Sequence, residues 1–473
     1  MAGPLDSQSS TLGGKIHNVF RGTYFQAVLL GLISFTQPGI WNAMNSLGAG
    51  GQAEPYAVNA ANVITFVIMV VLAPFASVIG NLIGMKWIVV FGCIGYVFYS
   101  ASLYVNSVYG TQWFLLLGAA LCGLSATALW PGEAAIALIH FEFVSVLTFQ
   151  LFLHVAIWMA IGKLGSIIAA SIQLSLNSDK DKTGSISPKT YIVLIAIQCL
   201  GLPLALLLSP PDKLVRDDGR KPTFANQNRT FKNQLIGFLQ QFKRKEIVLF
   251  IPAYITAQWG ITYQGNYMAA YFTVRARTLA GLITALVGVV VNIIGGWWLD
   301  TRKLRRSTQA RSFWYATFAL YTLVWIWNIV IQERWAKNSP GEIDWSGDKW
   351  NQGVAIFTLY RVAYEAIGMW LYWALGTHDY DMDTVALSMA VLRGEALGSA
   401  IGYGIGSIRS ATLMTNLIVS VVLFYIGAPF TTWAAHLIKD RIPGEESDST
   451  DDEYRASSSP EVEQQTQVIV PKN

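Results

Sequence analysis

The sequence predicts an all-α polytopic membrane protein whose transmembrane helices form two six-helix halves. Apolar stretches recur about twelve times, each near the roughly 20 residues that a bilayer crossing requires. Hydrophobic residues make up 53% of the 473 residues and charged residues only 13%, against about 25% in soluble domains. A long basic connection at residues 210–246 divides the stretches into two groups of six.

Each apolar stretch is predicted to form one membrane-spanning helix. The stretches cover residues 24–45, 56–80, 87–105, 113–139, 149–175, 190–209, 247–272, 277–299, 313–331, 353–375, 383–406 and 411–437. Tryptophans stand near many of their ends, as aromatic side chains do at membrane interfaces. The first stretch contains Gln37, Pro38 and Gly39, and we expect its helix to loosen there because proline cannot donate the helical hydrogen bond.

The segments outside the stretches give the domain organisation. Residues 1–21 are predicted to be a cytosolic N-terminal tail, and residues 441–473 a disordered acidic cytosolic tail, because both are polar and poor in large apolar residues. Residues 22–209 make the N-terminal six-helix half, residues 210–246 a cytosolic linker, and residues 247–440 the C-terminal six-helix half.

The distribution of basic residues predicts the orientation. With both termini in the cytosol, the loops on that side hold about twice as many Lys and Arg residues as the loops on the other side. We therefore expect an integral, multi-pass membrane protein with cytosolic termini, in either the plasma membrane or an endomembrane. The net charge of +4 does not indicate nucleic-acid binding, because the basic residues are spread over loops.

The loops after the second and eighth predicted helices carry related motifs. The eighth is followed by a Gly-three residues-Asp-basic pattern, and the second keeps the glycines and one base without the Asp: Gly296, Asp300 and Arg302; Gly80, Gly84 and Lys86. This pattern resembles the gating loop of the major facilitator superfamily, where Asp pairs with bases and glycines allow close packing. An ordinary basic cytosolic loop is the alternative. Together with the six-plus-six plan, the resemblance of these loop motifs predicts a major-facilitator-type 12-helix bundle.

Four segments resemble the UNC93-like family of membrane proteins, in its fungal branch. They are a Gly/Ala-rich helix leading to Glu133, the Ser-Pro-Pro-Asp opening of the linker, a Tyr-Gln-Gly-Asn segment with its Phe-Thr-Val-Arg continuation, and a Tyr-Glu segment ending in Trp-Leu-Tyr-Trp, at residues 118–138, 209–219, 263–279 and 364–373. The resemblance implies a major-facilitator fold. It also implies one of two activities, since some members are presumed transporters and others regulate or traffic other membrane proteins.

Ionisable residues occur inside the predicted helices at a few positions: Glu133, Lys163, Arg361, Glu365, Arg393 and Glu395. Such a residue costs several kcal/mol unless it faces a cavity or a partner. Arg361 and Glu365 are four residues apart and share a helix face, so they either neutralise each other or exchange partners in a central cavity. Lys163, flanked by glycines, is predicted to pair with Glu133 on the preceding helix, or else to extend towards the interface.

Uncharged polar side chains in two helices are candidates for substrate binding: Gln37 and Asn42 in the first, and Gln258, Trp259, Tyr263, Gln264 and Asn266 in the seventh. Amides and phenols beside an indole suit a cavity for a neutral or amphipathic organic solute. The alternative is that they form interhelical hydrogen bonds that hold the bundle together.

The sequence contains no phosphate-binding Walker loop, no Ser-His-Asp grouping and no metal-ligand pattern, so we expect neither an enzyme nor a cofactor. The predicted function is secondary transport of a small solute, with Glu133, Glu365 and Glu395 as candidates for proton coupling. The alternative is a non-transporting UNC93-like regulator or trafficking partner. The expected partners are the lipid bilayer, an unidentified small molecule and, in the second case, another membrane protein.

Overall fold

The computed structural model describes residues 20–139, 148–210, 231–299, 301, 304–377 and 395–440. In the first half the helices are α1 (Thr23–Ser34), α2 (Ile40–Ser46), α3 (Tyr56–Ile83), α4 (Met85–Gly92), α5 (Ile94–Tyr109), α6 (Gln112–Ile139), α7 (Thr148–Asn177), α8 (Pro188–Cys199) and α9 (Gly201–Leu206). In the second they are α11 (Lys245–Tyr271), α12 (Val274–Leu299), α13 (Arg306–Lys337), α14 (Trp350–Gly376), α15 (Glu395–Gly406) and α16 (Leu413–Leu437), preceded by the linker helix α10 (Phe231–Gln241).

Nine helical stretches in the described part of the chain are long and apolar enough to cross a membrane. Three predicted spans fall outside this group for different reasons. The first is divided into pieces at residues 35–39, and the seventh, α11, is 27 residues long but carries many polar side chains. The eleventh is described only over the 12 residues of α15. The chain is an all-α, multi-pass membrane protein.

The first span loosens at the predicted position. Residues Phe35–Gly39, which include Pro38, form a π-helical turn between α1 and α2. Proline has no N–H to donate, so the turn widens around it. Gly165 of α7 packs against this turn, where an added Cβ would lie only 2.5 Å from the carbonyl oxygen of Phe35. This contact holds α7 close to the first span.

One span is longer than the hydropathy pattern predicts. Helix α13 has 32 residues, where the apolar stretch covers only 313–331. At 1.5 Å per residue it extends about 48 Å, beyond the roughly 30 Å hydrocarbon core of a bilayer. Its last turns carry the exposed ion pair between Glu333 and Lys337. Hydropathy detects only the apolar middle of such a helix, because its polar ends project into water.

The buried apolar residues form two separate clusters, one drawn mainly from the first half and one from the second. The halves meet along two helix pairs, α3 with α15 and α7 with α12. In the first pair, the rings of Phe66 and Tyr403 stack with their centroids 5.6 Å apart. The structure therefore has two packed units with a seam between them along these helix pairs.

Candidate substrate cavity between the two halves

A cavity of about 140 Å³ lies between the two halves. Its walls come from α1, α2, α6 and α7 of the first half and from α12 and α14 of the second. One water molecule needs about 10–15 Å³ on this scale, so the cavity has room for about ten waters or one small organic molecule. Its position between the halves is where major-facilitator transporters bind their substrates.

The Glu365 carboxylate is the centre of a charged cluster on the cavity wall. Its side chain is 8% exposed. Its Oε2 atom lies 3.1 Å from Lys163 Nζ of the first half, and its Oε1 atom lies 2.9 Å from Arg361 Nη2, one turn earlier in α14. Asn292 of α12 donates a further hydrogen bond to Oε2, at 3.0 Å. The cluster therefore joins both halves through one buried carboxylate.

Arg361 and Glu365 form the ion pair that was one of the two alternatives expected for them, and both residues also line the cavity. The two residues therefore neutralise each other and also face the cavity, so the two alternatives do not exclude one another. Lys163, by contrast, pairs with Glu365 and not with its predicted partner, Glu133. The reason is that α7 packs against α12 of the other half, which turns Lys163 across the seam.

The remaining predicted ionisable residues lie elsewhere. Glu133 is fully buried in α6, close enough to Cys93 and Tyr96 to interact with them electrostatically. Glu395 is half-buried in the first turn of α15. Arg393 lies outside the described residues. Roles for these residues in proton coupling stay predictions.

Among the predicted substrate-binding residues, Asn42 lines the cavity. Three of the others hold neighbouring helices together. Gln37 Nε2 donates to the carbonyl oxygen of Gln198 at 2.8 Å, and Gln258 Nε2 donates to Tyr364 Oη at 2.9 Å. The third, Tyr263, donates from Oη to Gln332 Oε1 at 3.2 Å, a buried bond between α11 and α13.

Trp259, Gln264 and Asn266 are buried in α11. The indole N–H of Trp259 and the amide of Gln264 have no hydrogen-bond partner within the described residues. Asn266 Oδ1 accepts a bond from Asn59 Nδ2 of the first half at 2.9 Å. Substrate contact by α11 stays a prediction, and the structure shows that this helix contributes to packing and to the seam.

The predicted gating loops are only partly described. Gly84 joins α3 to α4 with a φ of +94°, which favours glycine. An added Cβ at Gly80 would lie 2.7 Å from Met85 Sδ, whereas an added Cβ at Gly296 would lie in open space. Close packing therefore explains the glycine at position 80 and not the one at position 296. Lys86 lies over the ring of its neighbour Trp87. Asp300 and Arg302 lie outside the described residues.

The sequence pattern did not identify Arg277 as a functional residue. Arg277 was included only among the basic loop residues from which the orientation is predicted. It is fully buried at the start of α12, on the face formed by loops 47–55, 178–187 and 338–349, here called the distal face. Its guanidinium donates to the carbonyl oxygens of Leu47 at 2.8 Å, Gly48 at 2.6 Å and Gly184 at 3.0 Å. All three acceptors belong to the first half. One sequence signal for this site was available. Few side chains shield the carbonyl groups of the glycine-rich segment around Gly48, so they can accept hydrogen bonds from a buried arginine.

Further polar contacts close the distal face. Asn59 Nδ2 donates to Asn266 Oδ1 and to the carbonyl oxygen of Gly406, each at 2.9 Å. Thr183 Oγ1 donates to Glu342 Oε1 at 2.7 Å. Hydrogen bonds from Thr183 hold the pKa of Glu342 below its usual value. The two halves are thus joined at this face by hydrogen bonds and one charged loop contact.

Comparisons with known proteins give relatives that span most of the chain, although no protein-family model matches it. The chain is 32% identical to Notoamide biosynthesis cluster protein O' of Aspergillus versicolor over 407 residues, which are 86% of this chain and 87% of the relative. It is 27% identical to a UNC93-like protein of Schizosaccharomyces pombe over 439 residues, 88% of this chain and 84% of the relative. UNC93-like protein 1 of Arabidopsis thaliana is 24% identical over 418 residues, 87% of this chain and 89% of the relative.

The fold is also similar to that of a solved transporter. The crystal structure of the nucleoside transporter NupG superposes with a TM-score of 0.56 at 12% identity, and the match covers 87% of this chain and 98% of NupG. At that identity the similarity concerns the fold alone. The sequence matches to the UNC93-like relatives show that this chain belongs to the UNC93-like family, and the similarity to NupG shows that it has the major-facilitator fold.

Proposed function

We propose that this chain is a secondary transporter that moves a small solute through the cavity by alternating access of its two halves. The observation that carries the proposal is the cluster of Lys163, Arg361 and Glu365, which both halves build on the cavity wall. Ionisable groups inside a membrane are expensive and mark transport pathways or proton relays. A protein that only bound other membrane proteins would gain little from such a cluster at its centre.

The seam at the distal face supports reversible opening. Its side-chain contacts include hydrogen bonds from Arg277 and Asn59 to carbonyl and amide oxygens. When the face opens, water can replace each of these partners, which offsets part of the cost of breaking the bonds. By the charge bias of the loops, the distal face is the one predicted to lie outside the cytosol.

Glu365 is the residue that we propose for proton coupling. Protonation of its carboxylate would remove the charge that holds Lys163 across the seam, and so would loosen one half from the other. The name of the Aspergillus relative associates that protein with a biosynthesis cluster, which supports a small organic molecule as the type of solute here.

Purified protein in liposomes with an entrapped pH-sensitive dye tests the proposal. A panel of organic solutes is added outside, and the dye reports proton movement that depends on the solute. Glu365→Gln should slow any coupled flux at least about tenfold, since removing a charged partner costs about 1.5–3 kcal/mol. The matched control is Glu333→Gln, which removes a carboxylate from an exposed pair at the end of α13 and should leave flux unchanged.

Two results would contradict the proposal. Lys163→Met with unchanged expression and unchanged flux would remove the ion pair from the mechanism. An absence of flux with every solute, together with a membrane protein that co-purifies stably, would favour the regulator or trafficking partner.

A further inference from the structure

We infer that the cavity takes a monovalent organic anion, with its carboxylate held by Arg361 and Lys163 and its apolar body against Trp130 and Trp158. The inference rests on the proposed function, because it names the solute class for the same cavity. Its basis is the balance of charge on the wall. Of the described residues that line the cavity, the ionisable ones are Lys163, Arg361 and Glu365, two cations and one carboxylate.

The acceptor capacity of Glu365 is already filled. Its Oε1 atom accepts from Arg361 at 2.9 Å and from Lys163 at 3.3 Å. Its Oε2 atom accepts from Lys163 at 3.1 Å and from Asn292 at 3.0 Å. A carboxylate offers about four lone-pair sites. Glu365 therefore has no capacity left to hold a cationic or hydrogen-bond-donating group of a solute.

The two cations keep donors to spare. A guanidinium has five N–H groups and an ammonium has three. The Arg361 side chain is 28% exposed and lines the cavity, and its bond to Glu365 is made by Nη2. The Lys163 side chain is 43% exposed, so its ammonium is accessible from the cavity. A carboxylate of the solute can bind these donors without displacing Glu365, and it would neutralise the remaining positive charge in a medium where that charge is costly.

The surroundings orient these donors. The Arg361 guanidinium lies over the ring of Tyr364, 4.9 Å from its centroid, and Gln258 bonds the Tyr364 hydroxyl. The cationic end of the cavity is thus held in place by its neighbours. On the apolar wall, Trp158 is fixed by its hydrogen bond to Ser34 Oγ, at 2.7 Å.

The rest of the wall suits an apolar ring. Trp130, Trp158, Met159 and Pro38 line it together with small residues. Asn42 is exposed and lines the same cavity, so its amide is accessible to a polar group of the solute. An amphipathic anion with an aromatic body and one further polar group matches this arrangement.

A charge-matched series of probes tests the inference on the purified full chain. The probes are 3-phenylpropionate, 3-phenylpropanamide and 3-phenylpropylamine, which share one apolar body and carry a negative, no and a positive charge. Benzoate and indole-3-acetate, each with its amide, extend the range of sizes. Binding is measured by titration calorimetry at millimolar probe and by the shift in thermal unfolding. We expect each anion to bind at least about tenfold more tightly than its amide, because a charged hydrogen bond is lost in the amide.

Removing a cation and removing the carboxylate of the cavity wall should have opposite effects on anion binding. Lys163→Met leaves the wall neutral and should weaken anion binding about tenfold or more. Glu365→Gln leaves two cations and should keep or strengthen it. The thermal unfolding of each variant without probe shows whether it is folded, and Arg361→Met serves as the second cation variant if Lys163→Met does not fold.

Three outcomes would overturn the inference: no binding by any of the anions, tighter binding of an amide or the amine, or loss of anion binding in the folded Glu365→Gln variant. The liposome assay separates this failure from failure of the transport proposal. Anions that bind with the predicted variant pattern but are not carried would preserve the solute class and contradict transport. Uptake of a neutral or cationic solute without anion binding would preserve transport and contradict the solute class.

Discussion

The Arg277 guanidinium of the second half donates a hydrogen bond from Nη2 to the carbonyl oxygen of Gly48 in the first half, across 2.6 Å. A second bond, from Nε to the carbonyl oxygen of Leu47, spans 2.8 Å. Arg277→Met removes both of these donors and the Nη1 donor to the carbonyl oxygen of Gly184. Because hydrogen bonds to a charged group contribute about 1.5–3 kcal/mol each, we expect the variant to favour opening of the distal face by at least about tenfold.

Spin labels on the two halves measure this opening. Ser178→Cys and Ser339→Cys place labels on exposed loops of the distal face, after the exposed Cys199 has been replaced. Pulsed electron double resonance should show one short distance between the labels in the parent chain and an additional, longer distance in Arg277→Met. Arg275→Met is the matched control, because that side chain bonds within its own half. Identical distance distributions for Arg277→Met and the parent would contradict the prediction.

Gly48 and Gly265 should respond differently to the same substitution. Gly48 has a φ of +73°, and an added Cβ there would overlap the carbonyl oxygen of Gly265. A Cβ on Gly265 would meet Gly48 only at an ordinary contact distance of 3.4 Å. Gly48→Ala should therefore destabilise the closed distal face by about 1–3 kcal/mol, and Gly265→Ala by less than about 0.5 kcal/mol. Equal label distances in the two variants would show that this contact does not hold the face closed.

Lys163 and Glu365 should be coupled energetically. Removing one partner from a buried ion pair costs about 3–5 kcal/mol. Lys163 is 43% exposed and Glu365 keeps Arg361 as a partner, so we discount the coupling to about 1 kcal/mol. A double-mutant cycle with Lys163→Met and Glu365→Gln, read from thermal unfolding, measures it. Strict additivity of the two changes would mean that the pair adds nothing to stability.

The exposed pair of Glu333 and Lys337 is the control for that cycle. The two side chains are four residues apart at the end of α13, and both are more than half exposed. Solvent-exposed pairs of this kind contribute about 0.3–0.5 kcal/mol. The corresponding cycle with Glu333→Gln and Lys337→Met should therefore give a coupling well below that of the cavity pair.

The loop carboxyl of Asp344 should make stability depend on acid pH. The Arg275 guanidinium, with Ser346 and Thr273, holds the pKa of Asp344 well below its usual value. A carboxyl with a lower pKa in the folded state stabilises the fold above the unfolded value of about 3.9, and loses this contribution as pH falls through the folded value. The parent chain should therefore lose stability more steeply than Asp344→Asn below about pH 5.

Thermal unfolding between about pH 6 and pH 3 measures this slope. In the Arg275→Met background, Asp344→Asn should change the slope less, because the main cause of the lowered pKa is already gone. An equal change in both backgrounds would assign the effect to another carboxyl.

The sequence predicted the helices well, because a bilayer requires long apolar segments that read directly from composition. The position of the π-helical turn was also predictable, since Pro38 inside an apolar helix has a local steric consequence. The ends of α13 were not, because polar turns outside the membrane lack the apolar signal.

The partners of the charged residues were harder to predict. Arg361 and Glu365 lie one turn apart, so helical geometry alone brings them together. Lys163 meets Glu365 across the seam, about 200 residues along the chain, and no local pattern specifies which helices of the two halves face each other. Arg277 was missed for the same reason, since its acceptors are backbone carbonyls that have no signature in the sequence.

The make-up of the distal face also determines what can regulate it. An arginine stays charged throughout the physiological range, and carbonyl and amide oxygens do not titrate there. Among the described residues, the carboxylate that bonds across this face is Glu342, which has a lowered pKa and stays ionised as well. Closure at this face is therefore insensitive to cellular acidity. We therefore expect a response of the protein to a proton gradient to come from groups away from this face, such as the cavity carboxylate Glu365.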